Sequence, residues 1–336
     1  MGLLAQQRLL RIMPSTVPNR ERALVKILRE IAGAQQLHLT ALSHDWIIRL
    51  ERGDIVRHVY GYNFELNSAA AQLLADDKSA VAEVLRYRQL PHVEHKLFLH
   101  PRLSSYISDQ GNWAEMMAYA RQYDFKVVCK PNDGTGGEDV FRARSQPELE
   151  QVVQRLFESR RAICLSPYYE ISQEYRVIVL DGRCELIYAK QRPAITGDGR
   201  STLADLIAAE IDRGAISVSV AARALKVNES RLDDVLAQGV EVTLDWKHNL
   251  AHGAYPVIIT DQPRHQQLEA LALACAAELN IVFASIDIIE TGSERLVLEA
   301  NSGVMMEHFV ELAPDGYSLA RTIYAKAVEL MFSKGT

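Results

Sequence analysis

Apolar and polar positions alternate along this chain in two different periods. Leu24, Ile27, Leu28 and Ile31 share one side of a helical period, which predicts a helix over 20–32. Strand-like runs follow at 46–50 and 55–60. An Ala- and Leu-rich helical stretch covers 68–87, and Pro91 ends that region. A further helix is expected at 112–122, then a short β-branched strand at 125–129, a strand at 139–142 and a helix at 146–158. Strands recur at 162–166, 175–180 and 184–190, with Asp181-Gly182 as the turn between the last two. A helical block occupies 203–237 and a strand 240–246. The helix at 264–279 carries Leu268, Leu271, Cys275 and Leu279 on one stripe. Strands at 283–290 and 296–301 and a helix at 318–332 complete the pattern. No repeat or low-complexity segment interrupts it. Hairpin-like strand pairs with flanking helices predict an α+β class with mostly antiparallel sheets.

At 336 residues the chain suits two or three packed subdomains. A net charge of -6 argues against nucleic acid or an anionic membrane as partner, so local basic residues answer to a local anion. The segment 217–239 looks superficially like a DNA-binding helix pair, but Asp233 and Asp234 would repel phosphate there. The four cysteines, Cys129, Cys164, Cys184 and Cys275, form no CxxC pair and are expected as buried thiols of a cytoplasmic protein. Residues 1–20 lack the apolar run of a signal peptide, and no stretch approaches a membrane span.

Two constellations carry chemistry. Lys130 ends a strand and runs at once into Asn132-Asp133-Gly134-Thr135-Gly136-Gly137, whose glycines would let backbone N–H groups approach phosphate oxygens. It is neither a Walker A loop nor a Rossmann fingerprint, and taken alone it reads better as a plain surface hairpin loop. The second lies on the paired strands near the C-terminus. Glu299 and Asn301 point one way, with Leu298 and Ala300 on the opposite face. Asp287 faces Glu299 directly if the turn takes up 291–295 or if a bulge intervenes; a turn one residue shorter puts the two carboxylates on opposite faces. Together, Asp287, Glu299 and Asn301 make a hard-oxygen set suited to Mg²⁺. The alternative is a pair of solvated strand carboxylates.

Taken in order, Lys130-Pro131, Gly134, Gly136-Gly137, Glu174-Tyr175-Arg176, Lys190, Asp287 and Glu299-Ala300-Asn301 resemble the ATP-grasp ligases. Gly197 to Thr202, the helical block after it and Asn249-Leu250 with Gly253 are similar to the ATP-grasp domain of cyanophycin synthetase. RimK-type glutamate ligases and bifunctional glutathione synthetases are close alternatives. The resemblance covers roughly 67–335. It implies an ATP-grasp fold, two α+β subdomains gripping ATP, at 77–336, after a small pre-ATP-grasp domain at 1–76. A lid subdomain is expected at about 112–168 and a helical insertion at about 203–238.

The roles that the resemblance implies are these. Lys130 and Lys78 would bind phosphates, with Lys96 the weaker alternative to Lys78, and Gly134, Gly136 and Gly137 would close over them. Ser166, Tyr168 and Tyr169 would line adenine, and Glu174 would hold the ribose. Lys190 would reach the γ-phosphate, Asp287, Glu299 and Asn301 would hold two Mg²⁺ (or Mn²⁺), and Arg176, Asn249 and Gly303 would face the acid or acyl phosphate. Arg192 and Arg200 hint at an anionic acid, and the general base is open between His252 and His308. The implied reaction joins a carboxylate, from an amino acid or peptide, to an amine through an acyl phosphate. Alternatives on the same scaffold are a carboxylate–thiol ligase, a small-molecule kinase or a non-catalytic nucleotide-binding module. A homodimer is the family-level expectation.

Overall fold

The computed structural model describes residues 21–106, 112–134 and 137–333. Helix α1 (Ala23–Ala34) leads into a four-stranded sheet of β1 (His38–Leu42), β2 (Ile47–Arg52), β3 (Ile55–Tyr60) and β4 (Asn63–Phe64). Helices α2 (Ala69–Asp76) and α3 (Lys78–Tyr87) follow. A second four-stranded sheet has the order β5 (Lys96–Leu99), β8 (Ala162–Pro167), β6 (Val127–Pro131), β7 (Phe141–Ala143), and carries α4 (Trp113–Gln122) and α5 (Gln146–Phe157).

The largest sheet is built from β9 (Gln173–Leu180), β10 (Arg183–Gln191), β13 (Tyr255–Ile258), β14 (Phe283–Thr291) and β15 (Glu294–Asn301), in the order β13-β10-β9-β14-β15. Between β10 and β13 lie β11 (Ala194–Thr196), α6 (Leu203–Asp212), α7 (Val218–Val227) and β12 (Glu241–Thr243), which form a satellite with its own apolar core. Helix α8 (Gln262–Glu278) precedes β14, and α9 (Glu307–Leu312) and α10 (Gly316–Ser333) follow β15. Strand pairing within all of these sheets is antiparallel. Among the described residues, no helix is long and apolar enough to cross a membrane.

The large sheet has two unlike faces, and this places the site. On one face Tyr175, Val177, Val179, Ile187, Ala189, Ala284, Ile286, Ile288 and Val297 pack against α8 through Leu268, Ala272, Cys275 and Leu279. The other face is divided along its length. At one end Ile178, Leu180, Leu186, Tyr188 and Phe283 pack into a core shared with α1, α10 and the N-terminal sheet. At the other end the same face carries Glu174, Arg176, Lys190, Asp287 and Glu299, and there it borders a cavity. Helix α1 buries Leu24, Ile27, Leu28 and Ile31, each worth about 1.5–3 kcal/mol of apolar burial. Arg22 gives that helix no side-chain cap. Its first N–H groups are taken instead by Glu307 of α9: Oε2 accepts from Ala23 N at 2.7 Å and Oε1 from Leu24 N at 3.1 Å.

Several elements depart from the sequence pattern. The helical stretch at 68–87 is two helices, because Asp77 is extended (φ -103°, ψ 102°) and caps the second by accepting from Ala80 N. The strand expected at 139–142 is displaced to Phe141–Ala143 by a turn, and that at 240–246 shrinks to Glu241–Thr243. Strands β1, β4, β5, β11 and β13 were invisible to the pattern. In β13, for instance, an edge position leaves Tyr255, Val257 and Ile258 exposed and only Pro256 buried, so no buried stripe betrays it.

Candidate active site

Cross-strand register brings the charged residues together. Asp287 on β14 stands opposite Arg176 on β9 and Glu299 on β15, and Arg176 stands opposite Tyr188 on β10. Arg176 donates Nε to Asp287 Oδ1 and Nη2 to Oδ2, both at 2.7 Å, a bidentate fork. Lys190 Nζ lies 2.9 Å from Asp287 Oδ2 and donates to Glu174 Oε1 at 2.5 Å. Burial alone would push Asp287 up, but Arg176 and Lys190 outweigh it and hold the carboxyl well below the ordinary range. Glu174 is raised by its burial, which the Lys190 charge opposes. Burial also works against the ammonium of Lys190, yet Asp287 and Glu174 hold its pKa above the ordinary value.

The hairpin turn is the short one: Thr291 pairs with Glu294, and Ile288 with Val297. Continued without interruption, that register would set Asp287 opposite Leu298. A bulge between Asp287 and Ile288 shifts it by one, so Asp287 pairs with Glu299 and Ser285 with Asn301. The bulge also corrects the expected direction of Leu298. Consecutive strand residues ordinarily face opposite ways, yet Leu298 and Glu299 both line the cavity, while Ala300 remains on the α8 side. Leu298 packs beside Tyr169 and Ile171 with Val93 and Ile289.

Across the cavity, Lys130 is the last residue but one of β6. It is 7 % exposed, has no carboxylate within ion-pair distance among the described residues, and burial lowers its pKa. Lys78, at the start of α3, donates to the carbonyl of Gly134 and lies 4.0 Å from Glu299 Oε2. The α3 terminus is docked on the loop by Asn132, whose carbonyl accepts from Lys78 N and whose Oδ1 accepts from Ser79 N. Lys96 is turned away and pairs with Glu115 at 2.6 Å. At the far end of the loop Gly137 has φ +71°, and a Cβ there would come within 2.9 Å of Asn249 Nδ2. Lys247 Nζ donates to its carbonyl at 3.2 Å. The loop thus touches the segment that follows the helical satellite.

These groups enclose one cavity of about 550 Å³. Its walls include Lys78, Lys130, Gly134, Gly137, Ser166, Tyr168, Tyr169, Glu174, Arg176, Lys190, Asn249, Asp287, Glu299, Asn301 and Gly303. Gly136 lies outside the described residues. Arg192, Arg200 and His252 are not among the walls, whereas His308 is. The sequence reading missed Trp46, Tyr60, Tyr62 and Asn63 of the N-terminal sheet, and also Tyr188 and His248. No motif marks these. The signal available was the cluster of aromatics around Gly61, which has no apolar period of its own.

His248 is buried, and its Nδ1 donates to the carbonyl of Lys190 at 2.9 Å. Burial lowers its pKa to about 4. A folded pKa below the unfolded value of about 6.5 means that the unfolded chain takes up the proton first as pH falls. Stability from this group is therefore complete above about pH 6.5 and declines toward pH 4, by roughly 1–3 kcal/mol. Urea unfolding between pH 7 and 4.5 should show that decline, and His248→Gln should flatten it. An unchanged slope in His248→Gln would refute the assignment.

Among the described residues no group of three His, Cys, Asp or Glu gathers to hold a metal. The donor set that is present still suits a hard cation: Asp287 is held ionised, Glu299 faces it and Asn301 lies two residues on along the same strand.

The sequence pattern of the family described as "Prokaryotic glutathione synthetase, ATP-grasp domain" matches residues 104–221. The glutathione biosynthesis bifunctional protein of Lactiplantibacillus plantarum is 25% identical over 256 residues, which is 72% of this chain and 32% of that protein. Cyanophycin synthetase of Synechocystis sp. is 28% identical over 234 residues, 63% of this chain and 26% of that protein. The chain thus spans about a third or less of the length of these relatives. Among solved structures, a bifunctional glutathione synthetase from Pasteurella multocida aligns with TM-score 0.56 at 16% identity, over 92% of this chain and 45% of that one. A D-alanine–D-alanine ligase from Bacillus anthracis aligns with TM-score 0.50 at 16% identity, over 81% of this chain and 71% of that one. The expected fold is borne out.

Proposed function

We propose that this chain, an ATP-grasp protein by fold and by the family it matches, is an enzyme that joins a carboxylate to an amine at the expense of ATP. The observation that carries this reading is Lys130. A buried ammonium with no carboxylate at ion-pair distance among the described residues is costly, and it lines the same cavity as Lys78 and Lys190. A polyphosphate supplies the missing negative charge. Asp287, Glu299 and Asn301 would hold Mg²⁺ or Mn²⁺, two ions by family analogy, which supplies charge neutralisation of the phosphates. Ser166, Tyr168, Tyr169 and Leu298 offer the cleft for the base, and the loop from Gly134 to Gly137 excludes water over the phosphates.

In the reaction the acid's carboxylate oxygen bonds to the γ-phosphorus and the bridging bond to ADP breaks. Lys130 and Lys190 spread the charge of the phosphoryl group in flight. The amine nitrogen then bonds to the activated carbonyl carbon, and phosphate leaves with the carbon–oxygen electron pair. Asn249 and the backbone N–H of Gly303, both on the cavity wall, would serve as donors to the acid. His308, on the cavity wall, is the candidate acceptor for the amine proton. Because the cavity continues to Trp46, Tyr60 and Tyr62 of the pre-ATP-grasp domain, that domain contributes to the substrate end. Amino acids or short peptides are the substrate class we assign, and a homodimer is the assembly we expect.

The test is ADP and phosphate release with Mg-ATP on amino acids and dipeptides, singly and in pairs, with products weighed by mass spectrometry. Turnover that needs both partners, with a product one water lighter than their sum, is expected. A stable phosphorylated product from one substrate would make it a kinase, and turnover only with a thiol acceptor a thiol ligase. No turnover with any partner, despite nucleotide binding, would leave a binding module.

A further inference from the structure

The bulge that sets Glu299 across from Asp287 is held from outside the sheet. Strand β15 is an edge strand, and residues 91–95 run beside it. Val297 N donates to Pro91 O at 3.0 Å, and Val93 N donates to Val297 O at 2.8 Å. One step further, His95 Nε2 lies 2.9 Å from the carbonyl oxygen of Leu298, the extra residue of the bulge. A bulged residue is left out of the ladder, so its carbonyl needs a partner from elsewhere. Since a carbonyl only accepts, His95 carries its proton on Nε2 and a lone pair on Nδ1. The side chain is 3 % exposed, and burial together with the nearby Lys130 charge keeps the ring neutral. His95 does not line the cavity, and no step of the proposed reaction uses it.

We propose that His95 is a positioning residue whose Nε2–H, donated to the Leu298 carbonyl, fixes the bulge and thereby sets the cation ligand Glu299 and the cleft residue Leu298 together. Without that bond the carbonyl loses its partner, and the strand can relax toward the uninterrupted register. In that register Leu298, not Glu299, faces Asp287. One side-chain hydrogen bond therefore couples the grip on the cation to the grip on the base. The inference rests on the nucleotide-and-cation reading given above.

The experiment compares wild type, His95→Gln and His95→Asn. Glutamine can place an amide N–H near the position of Nε2, whereas asparagine is too short to reach Leu298. Mn²⁺ binding is followed by electron paramagnetic resonance with the β,γ-imido analogue of ATP, whose own affinity is measured by calorimetry. We expect His95→Gln to stay within about threefold of wild type, and His95→Asn to weaken both ligands by about tenfold or more. An asparagine variant that binds both as wild type does, or a glutamine variant as weak as asparagine, overturns the inference alone. A wild-type chain that binds neither ligand overturns the nucleotide reading itself and the inference with it. If a variant does not fold, the wild-type ring decides: imidazole nitrogen shifts should show a neutral, exchange-protected Nε2–H, and an Nδ1–H tautomer would refute the role.

Discussion

Asp287→Asn is expected to lower ADP release by two to three orders of magnitude, about what loss of a pre-organised charge costs in an active site. It should also destabilise the ligand-free protein by about 3 kcal/mol. The second effect follows from what the carboxylate touches. Asp287 is 1 % exposed and balances both Arg176 and Lys190, so asparagine leaves Lys190 to Glu174 and takes from Arg176 the carboxylate it forks onto. Urea unfolding reads the stability and a coupled ADP assay the turnover. The acid limb offers an independent check. Because the folded pKa of Asp287 lies below the unfolded one, its stabilisation is complete above about pH 4 and lost as pH falls through the folded value. Asparagine should remove that portion of the acid sensitivity. Wild-type turnover in this variant would exclude Asp287 from the reaction.

Lys130→Met should behave in the opposite way toward stability. The lysine is buried with no carboxylate within ion-pair distance among the described residues, and its lowered pKa means that folding disfavours the charged form. Methionine fills a similar volume without the charge, so the ligand-free Tm should hold within about 2 °C or rise. Affinity for an ATP analogue should fall by about two orders of magnitude, because a desolvated charge-assisted contact to phosphate is gone. Calorimetric titration and a thermal melt without nucleotide test the two halves. A clear loss of ligand-free stability would mark Lys130 as a structural cation. The contrast with Asp287 separates a charge paired within the protein from one kept for a ligand.

Much of this site could be read along the chain, because antiparallel hairpins encode faces directly. Glu299 and Asn301 share a face by alternation alone, and Lys130 announces itself by ending a strand at a glycine-rich loop. What alternation cannot fix is register. The turn at Gly292-Ser293 by itself would have parted Asp287 from Glu299, and only a bulge supported by residues from 91 onward restores the pairing. The break at Asp77 was hidden by strong helix formers on both sides, although it is what brings Lys78 to the head of a helix. The contribution of Trp46, Tyr60 and Tyr62 was illegible for another reason: tertiary packing, with no local period, carries those strands to the cavity. Arg192 and Arg200 looked suited to an anionic substrate by residue type. The structure leaves them off the cavity wall, so composition near a motif did not translate into place.

The capping of α1 by Glu307 has a consequence for how the molecule comes into being. The helix nearest the start of the described chain borrows its terminus from a residue 284 positions later, and it packs against α10 beyond that. While the chain is being synthesised, the apolar stripe of Leu24, Ile27, Leu28 and Ile31 can pack early against the N-terminal sheet, but its cover is incomplete until α10 has been made. Local pieces such as the sheet of β5 to β8 and the helical satellite can close early, since their partners are near in sequence. The core that α1 shares with α10 must wait for residues about 300 positions downstream, which makes its completion a late, high-contact-order event in folding.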